Sequence, residues 1–353
     1  MKKKKVYLTL GNGKVLQGYR FGAESDVTGE LVFTTSMVGY DKTLTDPSHY
    51  GQIVVQTFPL IGNYGIISTE LEREKAYVSA YVVREACEIP SNFRTEETLE
   101  AYMKKEGIVG IYGVDTRELT RIIRDTGVMN ARISSSPASV EDLAAYRIKN
   151  AVAAVTVKEI SIYNESADRS VALIDYGAKE SSIRFWADGG LKVVRVPACA
   201  SAEDILALGT DGVILSEGPG DPAENKDLIA EIEKLVGKKP IFAVGLGMQM
   251  LAIALGGKTQ KMRYGHRGGN QPVKYLGTGR VYVSSQNHGY EVAADSVKQG
   301  EINFINVNDG GVEGIVYPQY NAVSVQFSPE SCSAALEPNF LTEGFIAKLT
   351  EGK

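Results

Sequence analysis

The stretch Pro240–Ala254 constrains the fold of this chain more than any other part of the sequence. Residues 240–244 form a short apolar run that begins with a proline, which is the pattern of a buried strand. Gly245-Leu246-Gly247 interrupts this run, and good helix formers follow from Met248 onwards. A strand, a tight glycine turn and a helix place one residue at the edge of an α/β sheet, beside the amide groups of the helix N-terminus. In enzymes that use this turn the residue is a nucleophile, but here it is Gly245, which has no side chain.

Two other interpretations of this stretch are weaker. A membrane span needs about 20 apolar residues, whereas this run is shorter and contains Gln249 and glycines. A dinucleotide-binding fingerprint needs a third glycine and an acidic residue about 20 positions further on. Position 250 is a methionine, and Tyr264-Gly265-His266 stands where the acidic residue should be. The turn is therefore best interpreted as a nucleophile turn without its nucleophile.

The length and composition indicate an ordinary globular protein of two or three domains. The chain has 353 residues, of which 43% are hydrophobic and 23% are charged. Its formal net charge of −5 gives no sign of binding to nucleic acid or to anionic membranes. The three cysteines, Cys87, Cys199 and Cys332, are odd in number and widely spaced. This usage indicates a reducing compartment and no disulfide framework.

The first residues lack the pattern of a secretory signal peptide. Lys2–Lys5 give a basic start, but only Val6–Leu10 follow before a glycine turn, which is too short for an apolar signal core. These residues instead predict a strand that turns back in a hairpin. We therefore expect a cytoplasmic protein.

The first half of the chain is rich in strand patterns and ends in a predicted linker. Apolar and β-branched runs recur within residues 1–60, separated by Gly, Asp and Asn. Residues 35–48, taken alone, are polar and turn-prone and predict a surface loop. From about residue 133 to residue 170 the periodic patterns become indistinct. We predict an N-terminal domain over 1–150, a linker over 151–170 and a second domain over 171–353.

Strands alternate regularly with helices in the second half, from Val171 to Leu255. This order predicts an α/β fold in which a parallel sheet has helices on both sides. Ligands of such sheets bind beyond the carboxyl ends of the strands. Three glycine-containing loops fall at those ends, namely Asp175–Gly177, Gly218–Pro222 and Gly245–Gly247.

A set of short motifs extends over nearly the whole chain. They are Thr35-Ser36-Met37 with Gly39-Tyr40, Leu44-Thr45-Asp46-Pro47-Ser48, Ile61-Gly62-Asn63, Ser91-Asn92-Phe93-Arg94, Asp115-Thr116-Arg117, Asp175-Tyr176-Gly177-Ala178-Lys179, Gly218-Pro219-Gly220-Asp221-Pro222, Gly265-His266 with Gly268-Gly269-Asn270, and Gln286-Asn287-His288-Gly289-Tyr290. Together these motifs resemble the small subunit of carbamoyl-phosphate synthase, a class I glutamine amidotransferase that supplies ammonia to a large synthetase subunit. The resemblance implies a strand-rich small-subunit domain followed by a mostly parallel sheet flanked by helices.

The resemblance also implies a glutamine site that draws on both domains. It would contain Ser36 of the first domain and, from the second, Gly218, Gly220, Leu246, Gln249, Asn287, Gly289 and Tyr290. The amides of Gly218 and Leu246 would form the oxyanion hole, a role that needs only backbone. The first domain would dock to the large subunit in a heterodimer. ATP and Mg²⁺ would bind to that large subunit, and we expect no metal or other cofactor in this chain.

The chain departs from the family at the catalytic residues. The family turn reads Cys-Leu-Gly-His-Gln where this chain has Gly245-Leu246-Gly247-Met248-Gln249, and the family motif His-Pro-Glu is here Ser328-Pro329-Glu330. Of the Cys–His–Glu triad only Glu330 remains, because the three histidines of the chain align outside the triad. Cys332, without a paired histidine, is not expected to substitute for the missing thiol.

These departures predict that the glutaminase activity is lost. Amide hydrolysis by this route needs a thiolate that attacks the carbonyl carbon and an imidazole that moves the proton. A glycine cannot attack, and a serine hydroxyl is a poor base at neutral pH. A laboratory point mutation does not explain the pattern, because the changes fall in both motifs.

Three functions are compatible with the sequence. The first is a non-hydrolytic small subunit that binds the synthetase subunit and leaves free ammonia as the nitrogen source for carbamoyl phosphate, in pyrimidine or arginine synthesis. The second is an active glutaminase subunit that uses a non-standard route. The third is a stand-alone sensor of glutamine or another amide. The intact motifs of the first domain favour the first function over the third, and the missing Cys and His favour it over the second.

Overall fold

The computed structural model describes residues 4–331 and 339–349, so Cys332 lies outside the described residues. The chain divides into two compact units between Ala151 and Val152. The predicted linker, residues 151–170, contains a helix, and its strand Ser161–Tyr163 pairs at the edge of the sheet of the second unit. Each unit has its own sheet and its own apolar core.

Seven strands of the first unit close into a barrel. The strands of this unit are β1 Lys5–Leu10, β2 Val15–Gly22, β3 Val27–Thr34, β4 Gln52–Gln56, β5 Leu60–Ile61, β6 Ala80–Val83, β7 Glu85–Ala86, β8 Val109–Tyr112 and β9 Met129–Ser134. The barrel order is β1-β2-β8-β6-β4-β3-β9, and β5 pairs with β7 separately. The predicted hairpin is present, because β1 and β2 pair antiparallel. The alternate residues Val6, Leu8 and Leu10 are fully buried, as the two-residue period of a strand requires.

Four helices accompany the barrel in the described part of the first unit. They are α1 Tyr40–Thr45, α2 Leu99–Lys105, α3 Thr116–Thr126 and α4 Val140–Ala144. The surface loop predicted for residues 35–48 is wrong where α1 lies, because Tyr40 and Leu44 are 1% and 0% exposed. The Tyr40 ring stacks on Tyr64 at 4.2 Å between centroids, and its hydroxyl donates to the Gly65 carbonyl at 2.6 Å. Two apolar residues four positions apart thus bury one face of a short polar helix.

The second unit contains a ten-stranded mixed sheet. Its strands are β10 Ser161–Tyr163, β11 Arg169–Asp175, β12 Leu191–Pro197, β13 Gly212–Leu215, β14 Ile241–Val244, β15 Thr259–Tyr275, β16 Val281–Val292, β17 Glu301–Asn306, β18 Val312–Tyr317 and β19 Ala322–Val325. The order is β10-β12-β11-β13-β14-β19-β18-β17-β15-β16. Strands β12, β11, β13, β14 and β19 are parallel, and the remaining pairs are antiparallel. The α/β fold predicted from the alternating pattern is confirmed.

Helices cover both faces of this sheet. They are α5 Ala151–Val155, α6 Glu180–Asp188, α7 Ala202–Ala207, α8 Lys226–Leu235, α9 Leu246–Ala254 and α10 Asn339–Lys348. Ala172 and Ile174 of β11 belong to one apolar cluster, whereas Val171 and Leu173 belong to the other. The near-continuous burial of β11 follows from this two-sided cover. Within the described ranges, no helix combines the length and the apolar character that crossing a membrane requires.

A buried carboxylate fixes the loop after β11. Asp175 is fully buried and accepts hydrogen bonds from the Arg195 guanidinium at 2.9 and 3.1 Å. Its other oxygen accepts the amides of Gly177 and Ala178 at 3.0 and 2.7 Å, and Val157 donates to the first oxygen at 3.1 Å. The loop that precedes α6 is therefore held by five donors at the carboxyl end of the sheet.

Candidate functional site

The turn between β14 and α9 has the geometry of a nucleophile turn. Gly245 has φ 54° and ψ −114°, a conformation that residues with a side chain rarely adopt. Its amide donates to the Val325 carbonyl at 2.9 Å, which ties the turn to β19. The Gly247 amide donates to the Ser216 carbonyl at 3.0 Å, which ties the start of α9 to the end of β13. The strained turn is thus retained although the residue on it has no reactive group.

The two glycine loops beside this turn approach each other closely. A side chain at Gly218 would lie 3.0 Å from Leu246 Cδ2 and would overlap the Tyr176 carbonyl group. A Cβ at Gly177 would lie 3.0 Å from Gly218 Cα. Gly218, one of the two residues expected to form the oxyanion hole, is therefore next to the side chain of the other, Leu246, and only glycine fits at position 218. Gly220, two residues further on, has φ 93°.

Ser328 and Glu330 meet the ammonium group of Lys179. Lys179 Nζ lies 2.8 Å from Ser328 Oγ and 2.5 Å from Glu330 Oε1, and both charged side chains are nearly buried. Glu330 Oε2 is buried and has no hydrogen-bond partner among the residues that the structure describes. The ammonium of Lys179 thus pairs with Glu330, the residue that the resemblance assigns to the triad, and the second oxygen of Glu330 has no partner among the described residues.

A second buried carboxylate, Glu217, lies next to the empty position on the turn. A Cβ at Gly245 would be 3.1 Å from Glu217 Cβ. The Glu217 carboxylate accepts the Lys179 amide at 2.9 Å and the Ser182 hydroxyl at 3.4 Å, and the residue is 7% exposed. Burial raises the pKa of Glu217 to about 7; the Lys179 ammonium opposes this shift and the nearby Glu330 carboxylate adds to it. Two carboxylates therefore share one ammonium group at the site.

The raised pKa of Glu217 makes stability depend on pH. Between pH about 4.5 and about 7 the folded chain holds a proton on Glu217 that the unfolded chain has lost, so stability falls as pH rises through this window. We expect Glu217→Gln, which cannot ionise, to become more stable than the wild type across the window, by on the order of 3 kcal/mol at pH 8. The measurement is urea unfolding from pH 4 to pH 8, followed by fluorescence of the single tryptophan, Trp186, which is buried in the second unit.

The control for this experiment is Glu165→Gln, which removes a carboxylate that is exposed in the same unit. This variant should follow the wild-type curve at every pH. A Glu217→Gln curve parallel to that of the wild type would contradict the burial-driven shift of the Glu217 pKa.

The other residues of the predicted glutamine site in this unit lie on α9 and β16. Gln249 is 3% exposed, and its amide nitrogen donates to the Tyr290 carbonyl at 2.7 Å and to Gln326 Oε1 at 2.9 Å. Asn287, Gly289 and Tyr290 are half-buried on β16. The hydrogen bond from Gln249 therefore joins the helix after the turn to the strand that carries the other three residues.

Ser36 lies in the first unit, directly after β3. It is half-buried, its amide lies 3.3 Å from Thr34 Oγ1, and its carbonyl accepts a hydrogen bond from the Gln56 side chain. These contacts are all within the barrel unit.

The histidines of the second unit are held by other groups. His266 Nε2 lies 2.8 Å from Asp309 Oδ2 and its Nδ1 lies 3.3 Å from Glu313 Oε1. Burial lowers the pKa of His266, but these two carboxylates outweigh it and raise the pKa to about 9. Burial lowers the pKa of His288 to about 3, and its Nδ1 donates to the Tyr290 carbonyl at 2.8 Å. An imidazole that is mostly charged near pH 7 and one that is mostly neutral there are both poorly matched to general base catalysis at that pH.

In the sequence, Lys179 belongs to one of the motifs but has no predicted role, and Glu217 directly precedes another motif and was not singled out. Both contacts join residues that are distant in the chain, since Lys179 and Glu217 are 38 positions apart and Lys179 and Glu330 are 151 apart. The only available signal was that Lys179 and Glu217 each stand at a loop predicted at the carboxyl end of a strand.

Comparisons with known proteins agree over both units. A family model described as Carbamoyl-phosphate synthase small chain, CPSase domain, matches residues 8–133, and one described as Glutamine amidotransferase class-I matches residues 172–348. The carbamoyl phosphate synthase small chain of Clostridium perfringens is 43% identical over 347 residues, covering 97% of this chain and 99% of the relative. That of Fusobacterium nucleatum is 42% identical over 348 residues, covering 97% of each. A solved glutamine amidotransferase from Thermotoga maritima is 19% identical, covers 52% of this chain and 84% of that one, and superposes with a TM-score of 0.39. Identity above 40% over nearly the full length of two relatives shows that the chain belongs to the carbamoyl phosphate synthase small chain family.

Proposed function

We propose that this chain is a small subunit of carbamoyl phosphate synthase that binds a large subunit but does not hydrolyse glutamine. The observation that carries the proposal is the chemistry at the turn: Gly245 occupies the nucleophile position, and Ser328 occupies the base position with its hydroxyl bound to Lys179. Neither group can attack an amide or move the proton that the attack releases. Free ammonia is then the nitrogen source of the complex.

Binding to a large subunit is supported by the family and by the first unit. The small-chain model matches residues 8–133, which cover most of the barrel. Relatives named as small chains align with this chain from end to end, so the part expected to dock is present although the catalytic residues are replaced.

A second candidate, an active subunit with a non-standard route, has one observation in its favour. The distance of 2.8 Å between Lys179 Nζ and Ser328 Oγ is that of a serine–lysine pair, which some hydrolases use as nucleophile and base. However, Lys179 also forms an ion pair with Glu330 at 2.5 Å, and an ammonium group that donates to a carboxylate has no lone pair with which to accept a proton. The non-hydrolytic function therefore has the better support.

The test is co-expression with the cognate large subunit, followed by size-exclusion chromatography and assays of carbamoyl phosphate synthesis. We expect a stable complex that is active with ammonia, and a glutamine-dependent rate at least about 10³-fold lower, because loss of the nucleophile or the base of a triad costs on the order of 10⁶ in turnover. Glu330→Ala should leave both rates unchanged, since no imidazole is present for it to orient.

Two results would contradict the proposal in different ways. Glutamine turnover comparable to the ammonia-dependent rate, and lost in Glu330→Ala, would favour the active subunit. Elution as a free monomer at micromolar concentration beside the large subunit would favour the stand-alone glutamine sensor.

A further inference from the structure

Three metal-ligating side chains converge between β15, β16 and β18, outside the nucleophile turn. They are His266, His288 and Glu313, and one ligand atom of each lies within 4.8 Å of those of the other two. His266 and Glu313 are 5% and 1% exposed, and His288 is half-buried. A buried group of two imidazoles and a carboxylate is a donor set that zinc binds in proteins.

The outer nitrogen of each histidine is already oriented. Asp309 Oδ2 lies 2.8 Å from His266 Nε2, and the Tyr290 carbonyl accepts from His288 Nδ1 at 2.8 Å. These contacts turn His266 Nδ1 and His288 Nε2 towards the interior of the cluster. A carboxylate or a backbone carbonyl on the outer nitrogen is the arrangement that orients histidine ligands in metal sites.

The oxygen of Gln286 lies between the two inner nitrogens. Gln286 Oε1 is 3.0 Å from His266 Nδ1 and 3.0 Å from His288 Nε2. Exchanging the positions of the amide oxygen and nitrogen of Gln286 would lose two hydrogen bonds, because the nitrogen donates to Glu313 Oε2 at 2.9 Å and to Ser284 Oγ at 3.1 Å. The amide oxygen therefore faces both imidazoles.

This arrangement leaves one unfavourable contact within the cluster. His288 donates from Nδ1 to the Tyr290 carbonyl, so the Nε2 of a neutral ring carries a lone pair. With Nδ1 as the donor to that carbonyl, Nε2 faces the acceptor oxygen Gln286 Oε1 at 3.0 Å. A cation that both atoms can coordinate turns this contact from repulsive to attractive.

In contrast to the expectation from the sequence, we propose that His266, His288 and Glu313 bind a Zn²⁺ ion, which displaces the proton of His266 Nδ1 to solvent, with Gln286 Oε1 as the fourth ligand. Two imidazoles favour zinc over magnesium or calcium, which prefer oxygen ligands. Atoms bound tetrahedrally at 2.0–2.1 Å are about 3.3 Å apart, and His266 Nδ1 and Glu313 Oε1 already have this separation at 3.3 Å. All the ligand atoms lie within 4.8 Å of one another, so no pair has to close by more than about 1.5 Å.

The ion would stabilise the part of β16 that contains Tyr290. The Tyr290 carbonyl accepts from His288 at 2.8 Å and from Gln249 at 2.7 Å, so two hydrogen bonds to one carbonyl link the cluster to α9. The role is structural and does not depend on whether the chain hydrolyses glutamine.

The test is zinc binding by the full chain after dialysis against EDTA, measured by isothermal titration calorimetry and by the thermal shift of Trp186 fluorescence. We expect one equivalent of zinc and a rise in Tm of roughly 5–10 °C at a zinc concentration about 100 times Kd. Magnesium at the same concentration should produce no shift. His288→Gln should abolish the shift, and Asp309→Asn, which removes only the orienting carboxylate, should weaken zinc binding about 10–100-fold.

The control is His49→Gln, which removes the remaining histidine of the chain. His49 is buried in the barrel unit, where its Nδ1 lies 2.9 Å from Gln52 Oε1. This variant should retain the zinc-induced shift. If the cluster variants fold poorly, the deciding measurement is the zinc content of the wild type purified without chelator, determined by elemental analysis. Less than about 0.1 equivalent of zinc after reconstitution, or an equal loss of the shift in His49→Gln and His288→Gln, would overturn the proposal.

Discussion

The double variant Gly245→Cys/Ser328→His is expected to hydrolyse glutamine, whereas neither single variant does so. The single variants lack either the base or the nucleophile, and triad residues act as a unit, so one without the other has little effect. The double variant completes a Cys–His–Glu relay beside the amides of Gly218 and Leu246. We expect an activity at least about 10²–10³-fold above either single variant, measured as glutamate formation.

Glu330 has the group that such a relay needs. Its Oε2 is buried without a hydrogen-bond partner among the described residues, whereas Oε1 is bound to Lys179. The leftover oxygen can accept the imidazole N–H of a histidine at position 328. Adding Glu330→Gln to the double variant should therefore lower its activity by at least about 100-fold.

Two features limit the recovery of activity. A cysteine at the φ of 54° found for Gly245 is strained by about 1–3 kcal/mol. A cysteine Cβ at position 245 would lie 3.1 Å from Glu217 Cβ, and a nearby carboxylate opposes ionisation of a thiol, so Glu217→Gln in the double variant should raise activity further. Met248, where the family has His, also lies in this turn. Activity in Gly245→Cys alone would show that another base is present and would disprove the role assigned to Ser328.

Gly247→Ala is expected to lower the free energy of unfolding of the second unit by roughly 2–4 kcal/mol. A Cβ at Gly247 would lie 2.7 Å from both the carbonyl carbon and the Cβ of Leu215, so the start of α9 must move away from β13. Helix propensity alone predicts the opposite sign, because alanine in a helix is about 1 kcal/mol better than glycine. Urea unfolding followed by Trp186 fluorescence measures the difference.

Gly269→Ala is the matched control for this prediction. Nothing lies within 4 Å of a Cβ at Gly269, which is exposed on β15 of the same unit. Its substitution should change stability by less than about 0.5 kcal/mol. A Gly247→Ala variant as stable as the control would mean that the close approach of α9 to β13 is not required.

The sequence predicted those elements of the fold that are specified by a few consecutive residues. The run Pro240–Val244 and the glycines after it specify a strand and a turn in a few residues, and the structure places β14 and α9 there. The alternation after Val171 likewise predicted a sheet covered on both faces. By contrast, α1 was missed because its apolar positions, Tyr40 and Leu44, are only two residues in a polar segment.

The charged contacts of the site could not be predicted, because they depend on how loops pack. Lys179 begins α6, and Glu330 follows β19 far along the chain, so only the parallel sheet brings them to 2.5 Å. The contact between Glu217 and the empty position on the turn arises in the same way. The glycine at the predicted nucleophile position, in contrast, is a property of one residue and was visible in the sequence.

The buried Asp175 affects how the site responds to an incoming ligand. Five hydrogen bonds converge on this carboxylate and hold the loop that contains Gly177 and Ala178. Opening this loop has to break the hydrogen bonds to a fully buried carboxylate, so we expect the amides of Gly177 and Ala178 to exchange slowly with solvent. The loop is already ordered before a ligand binds there. Binding therefore does not cost the conformational entropy of ordering the loop.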